Sequence, residues 1–466
     1  MKKLLSGFLI GIIAGAVIFF FINKQWPVNA LFSSGSETPV PDIISDDRSF
    51  SSVTSKLEKG GDLFVYLNTQ KITDTIEKSL LTLKETIISS ENTDADKKKE
   101  TEKWFGFMHG FLKGSGLFDI AALGVSSRGV QEGLTRSRFV VQHSPGRDNG
   151  LIWNLTQKDP GNLDFIGILP ENTVLASFVD FNYSMLWKWI KEQAEKSGDD
   201  KVRFGVGSVE TDLKNLGIDL PAILKSINGN SGFLITLDRD RKIKIPNGGK
   251  NVEFPEPSIA LVFETADDSI FKLLASRIPD AKIKEEKGTK TIEIKAPPMP
   301  FSFSPVILQS NNLLILASTP AIAGKLMNAS EKSSLASSTE FKKLSAGIPL
   351  SGNGFTFMSA GFFREMMKIQ TGLNPVGSGA DDKGMEFLKK LGLDLDNLAM
   401  FRVTARTDEG YVLTSNSTIG TELLVMVPVV TAGGIVAAMA IPQAMKMKRG
   451  TVSPEEQSPT PPSREL

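Results

Sequence analysis

One pattern recurs three times and constrains the fold of this chain more than any other feature. A short apolar or alternating run is followed by a polar turn and then by apolar residues at three-to-four spacing. It occupies residues 61–78 (GDLFVYLNTQKITDTIEK), 173–191 (TVLASFVDFNYSMLWKWIK) and 354–369 (GFTFMSAGFFREMMKI). Side chains alternate with period two on a strand and 3.6 on a helix, so each copy predicts a strand feeding a helix. A second signature follows each copy, at residues 112–117 (LKGSGL), 213–220 (LKNLGIDL) and 388–395 (LKKLGLDL). It reads as a helix end. Lysine in the last turn faces the negative end of the helix dipole, and glycine at the next position takes the left-handed conformation that closes the helix. Asp219 and Asp394 are then placed to cap whatever follows. Gly167-Ile168-Leu169-Pro170 and Gly347-Ile348-Pro349 precede the second and third copies.

The expected body is therefore three related α+β units at residues 51–166, 167–346 and 347–420, the second the longest. Further strand candidates lie at residues 137–142, 151–155, 233–238, 258–263, 291–294, 306–309, 313–317, 400–404 and 411–415. Many alternate and are separated by Gly, Asn or Pro turns, which favours antiparallel pairing. Spacings this long and unequal exclude a solenoid of short repeats and suit duplicated modules of antiparallel sheet with packed helices.

Both ends carry long uncharged runs. Residues 4–22 and 423–441 contain no charged side chain in nineteen positions each. At 1.5 Å per residue such a run reaches roughly 28 Å, about the hydrocarbon thickness of a bilayer. Lys24 and Trp26 suit the interface after the first run, and its length favours an anchor over a cleaved leader ending near Val28-Asn29-Ala30. The fold class expected from sequence is thus α+β flanked by N- and C-terminal transmembrane helices, at residues 1–26 and 421–445. Residues 27–50 read as a linker and residues 446–466, rich in proline, as a disordered cytoplasmic tail. Lys2 and Lys3 before the first run, and Lys446, Lys448 and Arg449 after the second, place both termini in the cytoplasm. The expected location is the inner (cytoplasmic) membrane with the bulk of the chain periplasmic. The absence of cysteine suits an oxidising compartment.

Two resemblances follow from quoted residues. The strand–helix units, with Leu169, Pro170 and Thr173 forming an LP-x-x-T element, resemble those of uncharacterised bacterial membrane-anchored envelope proteins; this implies location and architecture and no activity. Glu422-Leu423-Leu424-Val425 and residues 438–443 (AMAIPQ) resemble the N-terminal helix of type IV pilins. The segment lies at the wrong end of the chain, and Gly420 and Glu422 are too close for that family's processing site, so it is read as membrane-helix composition.

Composition excludes much chemistry. With no cysteine and only His109 and His143 among 466 residues, thiol nucleophiles, Cys-ligated zinc, iron–sulfur clusters and HExxH sites cannot form within the chain. With 53 basic and 53 acidic residues, a general nucleic-acid binder is not expected. Residues 124–129 (GVSSRG) lack the G-x-S-x-G spacing of a nucleophile elbow and read as a glycine-bounded turn. His109 in an aromatic helix-like patch and His143 at a strand end read as structural. The pairs Asp46-Asp47, Asp199-Asp200 and Asp381-Asp382 read as loop charge, and Asp267-Asp268 as a helix start. Trp187, Trp189, Phe362, Phe363, Met366 and Met367 read as core, or as a greasy groove for a lipid or partner helix. No catalytic, cofactor-binding or metal residue is assigned and no cofactor is expected. The expected function is a membrane-anchored, extracytoplasmic, non-enzymatic scaffold or interaction protein. A lipid or hydrophobic-ligand binder is the alternative, and a carboxylate/serine-dependent hydrolase the second. The expected partners are the lipid bilayer and an envelope protein or lipid ligand, with no nucleic acid.

Overall fold

A computed structural model describes residues 47–89, 95–247, 250–296, 302–330, 332–373 and 397–419. The first stretch runs α1 (Asp47–Ser55), β1 (Leu63–Asn68), α2 (Gln70–Ser89), α3 (Ala95–Ser115), β2 (Ile120–Gln131) and β3 (Leu134–His143). The second runs β4 (Gly161–Asn162), α4 (Phe165–Ile168), β5 (Thr173–Asp180), α5 (Tyr183–Lys196), α6 (Asp200–Asn215), α7 (Leu220–Ser226), β6 (Ile227–Asn247) and β7 (Lys250–Thr265). It continues through α8 (Ser269–Arg277), β8 (Ile283–Glu286), β9 (Thr289–Glu293), β10 (Val306–Ser310), β11 (Leu313–Ala317), α9 (Pro320–Met327) and α10 (Thr339–Ser345). The third comprises β12 (Ser351–Gly352), β13 (Gly354–Met358), α11 (Ala360–Leu373), β14 (Met400–Thr407) and β15 (Gly410–Ser417).

Thirteen of these strands form one sheet in the order β1-β2-β3-β15-β14-β13-β5-β6-β7-β11-β10-β9-β8. Every neighbouring pair is antiparallel. In each stretch an opening strand passes through helix and returns as a hairpin whose first strand pairs with the opener: β1 with β2–β3, β5 with β6–β7, β13 with β14–β15. The third stretch sits between the other two. Its β15 pairs with β3 and its β13 with β5, so strands far apart in sequence become neighbours.

One face of the sheet holds the main core. Ala176 and Phe178 of β5, Phe355 and Phe357 of β13, and Phe401 and Val403 of β14 meet Ile322 and Leu326 of α9 and Phe341 and Leu344 of α10. Phe178 stacks on Phe355 at 5.4 Å, and Phe341 meets Phe401 edge-on at 4.9 Å. On the opposite face, Phe362 and Phe363 of α11 pack against Leu175 and Met358. There α8 covers the far strands through Phe271 against Ile292, Ile307 and Leu314.

The expected flanking transmembrane helices require correction. Among the described residues no helix is long and apolar enough to cross a membrane. The longest, α2 and α3, span 20 and 21 residues. Charge interrupts them: α2 alone carries Lys71, Asp74, Glu77, Lys78, Lys84 and Glu85, and each charge buried at mid-bilayer would cost several kcal/mol, about 3. Residues 1–26 and 421–445 lie outside the described residues, as do Asp394 and the tail. The fold is α+β, built on one large antiparallel sheet.

Two local expectations are also corrected. Residues 151–155 are not a strand: Leu151–Trp153 forms a 3₁₀ turn. Trp153 is 1% exposed and lies against Tyr411 at 6.0 Å and His143 at 5.1 Å, so tertiary burial overrides a β-like sequence. Residues 124–129 are not a turn but the middle of β2, with Ser126 and Ser127 buried. Gly124 is there because α1 lies close above it: a Cβ would stand 2.4 Å from Val53 Cγ1. The helix-end signature at 213–220 forms as its chemistry predicts. Gly217 adopts φ 72°, its N–H bonds Lys214 O, and Ile218 N–H bonds Leu213 O. Asp219 then accepts from Ala222 N–H at 3.1 Å and caps α7.

Candidate functional site

A cleft of about 990 Å³ opens where the start of β5, the middle of β6, α9 and the start of α11 meet. Its floor is the LP-x-x-T element. Leu169 is fully buried and Pro170 bridges to Ser334, while Leu335 N–H bonds Leu169 O at 2.7 Å. Thr173 returns both its hydroxyl (2.7 Å) and its backbone N–H (3.0 Å) to Pro170 O, a closed turn that fixes the direction in which β5 departs. Glu171 and Asn172 at the tip of this turn line the opening.

The remaining walls follow from local rules. Thr319 caps α9, whose first residue is Pro320, and the helix then presents Ala321, Gly324, Lys325 and Asn328 at helical spacing along one wall. In β6 the pairing with β7 slips between Asp238 and Lys242, and this bulge releases Arg239 and Asp240 from the ladder to line the cleft. Asp238 Oδ1 accepts from Asp240 N–H at 3.1 Å, holding the bulge. At the start of α11, Ser359 Oγ accepts from Phe362 N–H, and the α10 carboxylate Glu340 accepts from Ala360 N–H at 2.9 Å. A carboxylate at that end is favoured by the helix dipole.

The cleft therefore gathers Glu171, Asp238, Asp240 and Glu340 against Arg239 and Lys325, leaving two negative charges in excess. Among the described residues none of the six forms an ion pair within the chain. No group of three or more His, Asp or Glu among the described residues could hold a metal ion.

A buried polar junction lies at the other end of β5. Asp180, 8% exposed, accepts from Asn353 Nδ2 at 3.0 Å, while its Oδ1 has no partner. Asn353 also donates to Gln157 O and accepts from Arg406 N–H at 2.6 Å. The Arg406 guanidinium reaches Thr156 O and Asn154 Oδ1, both at 3.1 Å. Residues 154–157 are thereby fastened across three strands. Burial pushes the Asp180 carboxyl up to about 6, opposed by the Asn353 hydrogen bond, the Gln157 backbone and the Arg406 charge.

The residues singled out from sequence fall mostly elsewhere. His109 Nε2 meets Glu77 Oε1 at 2.6 Å between α3 and α2, and His143 Nδ1 meets Ser144 O at 2.9 Å. Asp267 accepts from Ser269 N–H and Ser226 Oγ, and Asp268 pairs with Lys272 and Lys290; both carboxyls lie below their usual range, held there by these donors. Asp200 pairs with Arg203 in the first turn of α6. Trp187 Nε1 donates to Glu210 and Trp189 Nε1 to Gly114 O, so both tie α5 to neighbouring helices. Asp46, Asp381 and Asp382 lie outside the described residues, as does the side chain of Met367, while Met366 is exposed. Of the residues named from sequence, only Pro170 and Thr173 line the cleft. The cleft's charges sit on a β-bulge and on helices from separate stretches, and only the unusual run 237–241 (LDRDR) within a strand signals them. No protein-family model matches the chain, and no curated protein or solved structure matches it either.

Proposed function

We propose that this chain is a non-enzymatic scaffold or interaction protein whose cleft at the 169–173 turn receives a polar, cation-bearing segment of a partner. The observation that carries this reading is the set of six charged side chains that line one cleft without pairing internally, four of them acidic. Charges already facing one another would be neutralised. Charges left unpaired around a concavity are available to a partner of complementary sign, which they steer and orient more than they hold. Work outside the cytoplasm, with an envelope protein as partner, belongs to the same proposal, and the absence of cysteine supports it.

The test is calorimetric titration of the full chain with hexalysine and with hexaglutamate at low salt. Hexalysine should bind, and the triple variant E171Q/D238N/D240N should weaken it by about tenfold, while E285Q/E286Q on the remote strand β8 should not. Equal binding by the cleft variant, or preference for hexaglutamate, would refute the cleft as the receiving surface. Robust turnover of ester, phosphoester or glycoside substrates, abolished by the same triple variant, would refute the non-enzymatic reading.

A further inference from the structure

A row of side chains crosses the sheet on the face opposite the main core. Cross-strand register aligns Ser127, Ser137, Ser415, Arg402, Thr356 and Ser177 on six successive strands, from β2 to β5. Five small hydroxyl side chains thus flank one arginine. Arg402 is half-buried, yet among the described residues no carboxylate pairs with it. Its Nε is buried without a hydrogen-bond partner, and its Nη2 reaches only Met400 Sδ at 3.7 Å. Other charges withdrawn from water have partners: the Glu58 carboxylate pairs with both Arg128 and Arg138, and Asp180 accepts from Asn353. A guanidinium taken from water without a counter-ion is costly, and the cost falls when a planar anion presents two oxygens to it.

The surroundings say what kind of anion. Thr356 and Ser415 lie directly opposite Arg402 on the two neighbouring strands and can donate hydroxyl protons to the same ligand. One step along the strands Met400, Met358 and Leu175 are buried, the latter two beneath Phe362 and Phe363 of α11, and that side is closed. One step the other way, across Thr404, stand the half-buried Leu413, Phe139 and Val125. A single cation in a polar row, bordered on one side by half-buried apolar side chains, matches a molecule with one anionic head and an apolar tail.

We propose that Arg402, Thr356 and Ser415 form a binding site for the carboxylate or phosphate head of an amphipathic ligand whose tail lies on Leu413, Phe139 and Val125. The site is separate from the charged cleft and stands whether or not that cleft binds a partner.

The experiment titrates the full chain at pH 8 with laurate, dodecyl phosphate, dodecanol and inorganic phosphate. Laurate or dodecyl phosphate should bind at least about tenfold more tightly than dodecanol, the loss expected on removing a charge-assisted contact. Which of the two binds better identifies the source of the head group. R402M should abolish the preference over dodecanol without lowering the melting temperature, because no described residue pairs with the charge it removes. Where R402M fails to fold, T356V carries the test and should weaken laurate several-fold. Absence of binding by both amphiphiles overturns the proposal. So does binding of dodecanol as tight as laurate, of inorganic phosphate as tight as dodecyl phosphate, or an unchanged preference in the variant.

Discussion

Asp180 makes the stability of this protein depend on pH in a direction opposite to most paired carboxylates. Burial raises its carboxyl from 3.8 to about 6, so the folded state holds the proton more tightly than the unfolded chain does. The stability contributed by this group is fully present below 3.8 and is lost as pH rises through about 6. At about 1.36 kcal/mol per pH unit, that difference corresponds to about 3 kcal/mol of destabilisation at neutral pH. Asp180→Asn removes the charge while its oxygen can still accept from Asn353 Nδ2, and its amide nitrogen takes the place of the unpartnered Oδ1. One unpaired buried atom is exchanged for another, so the charge term dominates. The variant should be more stable than the parent at pH 7.5, by up to about 3 kcal/mol, with the gain fading as the pH falls toward about 4. Urea unfolding followed by tryptophan fluorescence at pH 4.5 and 7.5 reads both values. A destabilised variant at pH 7.5, or the same difference at both pH values, would refute the reasoning, since neither can arise from removing a proton-linked charge.

Asn353→Ala removes donors to Asp180 and Gln157 and the acceptor for Arg406 N–H; it should cost about 2–4 kcal/mol in the same unfolding assay, and a loss below 1 would show that the junction is not cooperative. Phe401→Ala, at a fully buried position meeting Phe341, should cost about 3–5 kcal/mol. Gly217→Ala forces a Cβ onto a residue at φ 72° and should cost about 1–2 kcal/mol, with a neutral result refuting the left-handed helix end. In each case circular dichroism confirms that the variant retains its fold.

The elements that could be read from sequence were those whose reasons are local. Two-residue and 3.6-residue periodicities locate β5 and α5 or β13 and α11, because burial on one face imposes them on adjacent residues. The helix end at Gly217 was equally legible, since it is closed by backbone bonds within a few residues. Residues 151–155 misled because Trp153 is held by Tyr411, a residue of β15 far away in sequence, and not by strand pairing. The stretch at Gly124 misled for a related reason. Glycine usually marks a turn, but here it answers to α1 pressing on the sheet, a contact no local pattern records.

The two candidate sites were illegible for a more general reason. Both are products of register. Ser137 and Ser415 belong to strands that are neighbours only because β15 inserts beside β3, and Thr356 and Ser177 meet only because β13 pairs with β5. A one-residue slip of β14 against either neighbour would carry Arg402 to the opposite face, among Phe355, Phe357 and Phe341. The apolar side of β14, Phe401 and Val403, prevents that slip, because it would expose both to the polar row. The apolar core on one face therefore fixes the position of the unpaired cation on the other. A substitution such as Phe401→Ala, chosen for the core, should then weaken laurate binding as well as stability, through loosened register and not through contact. Laurate affinity unchanged in a folded Phe401→Ala protein would show that the polar row holds its own alignment, independent of the core beneath it.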